Sequence, residues 1–450
     1  MTALPTGWTM TPIGDVLAPL EDGRTLHQGW SPRCDSEPSE ADDVWAVLKT
    51  TAVQAGHFLP EHNKRLPSHL SPRPLLAVRE GDLLITCAGP RNRCGVACLI
   101  ANTRPKLMIS GKMYRMRFDD QQTDARYIAA YLQSTDAHLA IDRMKTGGSD
   151  SGLNLTMDRF RRLPLPLAPL DEQRRIVDAI EQQFSRLDDA DEALRRVGPS
   201  LNAHRVATLR SVFLQEWPER ELQEVAHAQL GKMLSEKSKK GVNPKPYLRN
   251  KNVRWEHVDV SDVAEMDFTE QEVEKFRLKA GDVLICEGGA GVGRTGIWRD
   301  ELEVCCYQKA LHRVRPGSDL LPEFLVHFMR YLVESRRLDQ HLSGVAIGHF
   351  PQEDLRTLKL PLPPVDLQAE LVARLDRQSS VSASLERGLE SALRKSQALR
   401  RVVLREAFAG RLATVGVRDE SSPADLMDRS TERAASAGST RRMKDETVDV

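Results

Sequence analysis

The chain carries no net charge, because 64 Lys and Arg residues balance 64 Asp and Glu residues. That argues against a protein that coats nucleic acid with its whole surface. It does not exclude local nucleic-acid binding, which depends on where the charges lie. Cysteine is scarce, at seven residues, and no CxxC pair is matched by a second one. Cys94 and Cys98 stand four apart with no His nearby, so no zinc site is expected. The odd count reads as reduced thiols, and a cytoplasmic location is expected. No run of about 20 apolar residues is present to span a membrane. The opening residues, Met1 to Trp8, have the pattern of neither a signal peptide nor a transit peptide.

Catalytic signatures are missing too. Gly289-Ala290-Gly291-Val292-Gly293 is glycine-rich, but no Gly-Lys-Ser/Thr follows and the Rossmann spacing is absent. Asn243-Pro244-Lys245-Pro246-Tyr247 is like the Asn-Pro-Pro-Tyr that grips a target amine, but Lys245 splits it. That stretch is expected to be a turn entering a strand at Tyr247. His57 and His62 have metal-like spacing without an HExxH, which leaves them as surface histidines.

What is there is a duplication. Leu163-Pro164-Leu165-Pro166-Leu167-Ala168-Pro169-Leu170-Asp171-Glu172-Gln173 returns as Leu358-Lys359-Leu360-Pro361-Leu362-Pro363-Pro364-Val365-Asp366-Leu367-Gln368, offset by 195 (361 − 166). Upstream, Gly81-Asp82-Leu83-Leu84-Ile85 matches Gly281-Asp282-Val283-Leu284-Ile285, offset by 200. A Gly-Asp pair before a short apolar run reads as a turn into a buried strand. A Gly-containing loop follows in each half, then a strand with alternating arginines: Arg115 and Arg117, Arg313 and Arg315. Period-2 alternation puts each pair on one face. Short helices then carry Tyr127, Tyr131 and Leu132, or Phe324, Phe328 and Met329. After each Pro-rich step comes a long helix with a seam in steps of four and three. One seam runs through Ile176, Ile180, Phe184, Leu187, Ala190, Leu194, Val197 and Leu201; the other includes Leu371, Leu375, Gln378, Ser382, Leu385, Leu389, Ser396 and Val403. Pro199 should kink or interrupt the first helix. The seams are too polar to stand alone, so the two helices are expected to pack on each other.

Basic residues cluster once in each half. Arg91, Arg93, Arg104, Lys106, Lys112, Arg115 and Arg117 precede any acid until Asp119. Lys232, Lys237, Lys239, Lys240, Lys245, Arg249, Lys251 and Arg254 are interrupted only by Glu236. Their recurrence points to phosphate contacts. The DNA-binding candidates are Arg91, Arg93, Lys106, Lys112, Arg115, Lys237, Lys239, Lys240, Arg249, Arg294 and Arg313. Arg93 and Arg294, each two residues before a glycine, are the candidates for bidentate reading of bases.

The ordered double set resembles the DNA-specificity subunit of type I restriction–modification enzymes over about residues 4–412. The features that carry the likeness are Leu4-Pro5-Thr6-Gly7-Trp8 with Ile13-Gly14-Asp15-Val16, the two Gly-Asp steps, the two Pro-rich entries and the helix end Leu404 to Leu412. Leu367 departs from the usual acidic residue. Pro90 and Arg91 stand where the second half has Ala290 and Gly291, so the halves should read different sequences.

The resemblance implies an α+β fold. Two similar α/β target-recognition domains (1–165 and 217–360) would be joined by two long antiparallel coiled-coil helices (166–216 and 361–412), related by a pseudo-twofold axis. A disordered tail is expected over 413–450. The implied function is noncatalytic recognition of a bipartite double-stranded DNA target, with the helices setting the spacer and docking two methyltransferase (modification) subunits. Restriction and translocase subunits would join that core. No cofactor is expected on this chain; S-adenosylmethionine, ATP and Mg belong to the partner subunits. The alternatives are a self-contained methyltransferase or nuclease, and a coiled-coil scaffold.

Overall fold

The computed structural model describes residues 4–235, 241–344 and 348–412. Lys237, Lys239, Lys240 and the expected tail lie outside the described residues. Contacts divide the chain differently from the boundaries read off the sequence. One unit contains the residues up to Glu192 together with those from Leu393 on, and the other is Ala193–Ala392. Each unit therefore takes part of both long helices.

In the first unit, Leu83–Thr86 lies between Ala97–Leu99 and Met113–Phe118, all antiparallel. Met113–Phe118 also pairs with Leu17–Ala18 and His27–Gln28. Gly81 turns the chain into Leu83–Thr86 at a φ of 83°, a conformation that favours glycine. All four residues of that strand are buried. A smaller sheet pairs Ala46–Leu48 parallel to Leu107–Met108 and antiparallel to Asn63–Arg65. The helix Ala125–Leu132 buries Tyr127, Ile128, Tyr131 and Leu132. Asp124 caps it by accepting from the Arg126 N–H at 2.9 Å.

The second unit repeats this plan. Val283–Cys286 lies between Thr295–Ile297 and Leu311–Pro316, and the latter pairs with Ala226–Leu230. Pro244–Leu248 runs antiparallel to Ala264–Asp267 and parallel to Cys306–Tyr307. The stretch expected as a turn is thus already strand at Pro244, and the Asn243 amide is spent on the Phe268 carbonyl at 2.6 Å. Pro322–Glu334 buries Phe324, Phe328 and Met329.

The Pro-rich steps are strands rather than first helical turns. Pro164–Leu167 pairs with Thr9–Pro12, and Lys359–Pro361 pairs with Glu219–Glu221. Each is half of a two-stranded ribbon, where a residue without an N–H is tolerated. The helices begin at Leu170 and Val365 and run to Phe213 and Phe408. Two fully buried glutamines fix these starts. Gln173 donates to the carbonyls of Gln122 (3.0 Å) and Ala168 (2.8 Å) and accepts from the Asp124 N–H (3.0 Å). Gln368 donates to Asp319 and Pro363 (2.8 Å each) and accepts from the Leu321 N–H (2.9 Å). Loop groups that would otherwise be buried unpaired are satisfied in this way.

Of the expected kink or interruption at Pro199, the interruption does not occur: the first helix runs through it. Leu389 of the second helix lies 3.8 Å from where a Cβ on Gly198 would sit, so tertiary packing holds the turn that one missing hydrogen bond weakens. In the first unit Ile176, Val177 and Ile180 share a core with Leu404 and Ala407. In the second, Leu209, Val212 and Phe213 share one with Leu371, Val372 and Leu375. Within each unit the helix segments are antiparallel. Arg400 bonds Asp188 and Asp191 in the first unit, and Arg205 bonds Glu386 while Arg374 reaches Ser211 in the second. The seam departs from expectation at Val197 and Leu385, which are exposed.

Candidate nucleic-acid interface

The basic strand of each unit is anchored by the aspartate of the Gly-Asp step. Asp82 is fully buried and Asp282 nearly so. Asp82 accepts from Arg117 Nε (2.6 Å) and from the Arg79 N–H (2.7 Å). Asp282 accepts from Arg315 Nε (2.6 Å) and from the Lys279 N–H (2.8 Å). Arg115 also approaches Asp82, at 3.5 Å, so both arginines of this strand lie on one face. Arg117 remains partly exposed, but Arg115 and, on the second strand, Arg313 are enclosed, and this overturns two candidates. Arg115 is fully buried, on Glu21 and on the carbonyls of Leu75 and Ala77. Arg313 is 4% exposed and donates to Gln229 (2.6 Å) and the Lys275 carbonyl (3.2 Å). A guanidinium so enclosed reaches no phosphate. Its desolvation is offset only by those fixed acceptors.

The Gly loops are built alike. In the first unit Arg93 crosses from the loop to the turn Thr50–Ala52, donating to the carbonyls of Thr50 and Val53 and to Gln54. In the second, Arg294 reaches the carbonyl of Asn250, which opens the equivalent turn Asn250–Asn252. The two candidate base readers thus brace the loop against the small sheet. Beside Arg294, burial pushes the Cys286 thiol up to about 11, against the opposing pull of that guanidinium.

Against each Gly loop lies an antiparallel pairing that the sequence reading missed, the base of a hairpin; in the second unit residues 345–347 lie outside the described residues. Thr146 and Asn154 exchange backbone hydrogen bonds, and Leu153–Asn154 pairs with Ala88–Gly89. Ser343 and His349 exchange them in the second unit, and His349 pairs with Gly288. Each hairpin base is tied to the central strand by one buried donor. The Tyr114 hydroxyl donates to the Leu155 carbonyl (2.7 Å), and His312 Nε2 lies 2.8 Å from the Phe350 carbonyl. Burial lowers the affinity of His312 for a proton, and Nδ1 has no partner. The neutral Nε2–H tautomer is therefore the one that fits. Glycines at similar distances before each Pro-rich step, Gly147, Gly148 and Gly152 against Gly344 and Gly348, were the available signal.

The hairpins are held with different chemistry. Arg91, about half exposed, donates to Asp142 (2.6 Å) and Asp150 (2.9 Å). Lys145 first, and Arg91 after it, hold the Asp142 carboxyl below the usual carboxylate range. In the second unit His349 faces Glu287 at 3.3 Å. Among the other candidates, Lys106 bonds the Asp43 carbonyl (2.9 Å) and Arg249 holds Asp262 (3.0 Å). Lys251, followed by Arg249, keeps the Asp262 carboxyl low. Lys112 is exposed and has no partner among the described residues. Lys309, not singled out from sequence, is also exposed, on the turn before the second central strand. The Lys112 carbonyl accepts from Cys87, and the neighbouring Ala310 carbonyl accepts from Glu287. Both lysines therefore flank a Gly loop.

Other groups considered from sequence fall to structural roles. Cys94 and Cys98 are buried in different clusters and do not converge. No helix among the described residues is long and apolar enough to cross a membrane.

Residues 215–395 match the family model of the type I restriction modification DNA specificity domain. The type I restriction enzyme EcoEI specificity subunit of Escherichia coli is 38% identical over 192 residues, covering 43% of this chain and 31% of that protein. This chain thus spans less than a third of that relative. The EcoKI specificity subunit of Escherichia coli K12 is 23% identical over 97% of both chains. A chain solved in work on complex assembly and conformational transition of the type I R-M system has the same fold. It is 20% identical, with a TM-score of 0.73, over 91% of this chain and all of that one.

Proposed function

We propose, for a chain whose residues 215–395 match the family model of the type I restriction modification DNA specificity domain and which is similar over 97% of its length to a specificity subunit, that it is the noncatalytic DNA-recognition subunit of such a complex. Each unit reads one half of a bipartite double-stranded target. The observation that carries this is the duplicated reading head: the same anchored strand, braced Gly loop and tied hairpin, built twice from different surface residues. Two heads with one scaffold and different tips suit two different half-sites. Phosphate contacts supply sequence-independent affinity, and Lys112 and Lys309 are placed to make them. Base edges are read by loop and hairpin residues in the major groove.

The partners are two modification subunits, which carry S-adenosylmethionine and methylate adenine, and restriction subunits that hydrolyse ATP with Mg. The long helices dock the modification subunits and set the spacer between half-sites. The deciding experiment exchanges residues 5–160 for the equivalent part of another family member and maps methylated adenines in cells. One half of the recognised sequence should change and the other should stay. A change in both halves, or methylation that does not depend on this gene, defeats the reading.

A further inference from the structure

The two units differ at one place where their helices meet the globule. In the first, Phe184 of the long helix packs against the core, and the Arg400 guanidinium lies over its ring at 5.3 Å. Arg400 also bonds Asp188 and Asp191. The internal offset of 195 carries Arg205 onto Arg400 and Glu386 onto Asp191, and the ion pair is indeed repeated, Arg205 to Glu386 at 2.8 Å. The same offset puts Ser379 where Phe184 stands and Ala383 where Asp188 stands. The ring is missing, no ring stacks on Arg205 among the described residues, and a cleft of about 510 Å³ opens there. Its walls include Arg205, Trp255, His327, Asp376, Ser379 and Ala383.

The electrostatics of the cleft say what suits it. Arg205 is matched by Glu334 and Glu386, Arg330 by Glu256 and Glu334, and Arg299 by Glu323. Those three guanidinium groups have no charge to spare for an ionic ligand. Arg387 also lines the wall, and the Arg330 guanidinium already lies over the Trp255 ring at 5.5 Å, whereas Arg205 has no ring among the described residues. A guanidinium already held by carboxylates still attracts an aromatic face. The space is of ligand-binding size, and one helical turn of small side chains leaves it open.

We propose that this cleft receives an aromatic side chain projecting from a modification subunit, which completes from outside the contact that Phe184 makes from within in the first unit. The two modification subunits then dock on non-equivalent surfaces, one closed by the chain itself and one open. This rests on the reading of the chain as a specificity subunit with modification subunits on its helices.

The test compares the full chain with Ser379→Phe and Ser379→Ala, each titrated with purified modification subunit of the same system. Thermal melting and DNA binding of the free chain serve as controls. S379F should melt no lower and bind DNA as before, yet take up the second modification subunit at least tenfold more weakly, whereas S379A should assemble normally. A more stable S379F that assembles like the wild type means the cleft is a packing gap and overturns the inference. Equal losses in S379F and S379A also overturn it. Should S379F fail to fold, Ser380→Cys decides: its alkylation by a thiol reagent should slow at least tenfold on assembly, and an unchanged rate refutes occupancy. A wild-type chain that binds no modification subunit defeats the functional reading itself, whatever the variants do.

Discussion

Replacing Gln368 with Ala tests whether the glutamine at the helix entry carries the junction of the second unit. Its side chain is fully buried and makes three hydrogen bonds, two donated at 2.8 Å and one accepted at 2.9 Å. Alanine leaves two carbonyls and one N–H without partners, the Pro363 carbonyl buried and the Asp319 carbonyl and Leu321 N–H part-buried. Each such group costs about 1–3 kcal/mol, and the cavity adds to that. Some relaxation and water entry reduce the sum, so a loss of roughly 3–5 kcal/mol is expected. A domain with about 5–15 kcal/mol of stability feels that strongly. Because the units need not unfold together, the assay should be unit-resolved: native-state hydrogen exchange followed by mass spectrometry, with urea unfolding alongside. Exchange should accelerate at the Leu321 amide and through Pro322–Glu334, while Ala125–Leu132 keeps its protection. Gln173→Ala should give the mirror result, releasing the Asp124 amide in the first unit. Losses below about 1 kcal/mol in both variants would refute the reasoning, since three unpaired groups, one of them buried, cost more than that.

Three further outcomes follow from the site. Burial lowers the proton affinity of His312 below its ordinary 6.5, so the unfolded chain binds the proton first as pH falls. The second unit should hold full stability above about pH 6.5 and lose it below, whereas His312→Tyr, the residue type the first unit uses, should flatten the profile measured by urea midpoints. Lys112→Ala and Lys309→Ala should each weaken binding to all DNA sequences alike and reduce the salt slope by up to ~0.9, whereas Arg115→Ala should lower the melting temperature of the free protein; a salt slope unchanged in both lysine variants removes them from the interface. Arg93→Ala and Arg294→Ala should loosen the Gly loops, seen as faster exchange at Thr50–Ala52 or Asn250–Asn252, and altered base preference with untouched loop protection would instead restore them as direct readers.

The sequence alone fixed the duplication, and with it the plan of each half. Gly81-Asp82 and Gly281-Asp282 are legible because a Gly-Asp pair before a short apolar run reads as a turn into a buried strand. The long helices are legible from their period. Periodicity cannot say what occupies the other side of a face, and that is where the reading failed. Arg115 and Arg313 each alternate with a second arginine, Arg117 and Arg315, as solvent-facing pairs would, but Asp82 and Gln229 wait for them inside the fold. Arg93 and Arg294 have the residue type of base readers, yet carbonyls some 40 residues away in sequence take their donors. Likewise Gln173 and Gln368 sit in a recognisable motif whose purpose shows only once Asp124 and Leu321 are brought beside them. Local sequence encodes which groups need a partner; only the tertiary fold, by bringing distant chain together, decides whether that partner is another residue of the protein or something left for a ligand to supply.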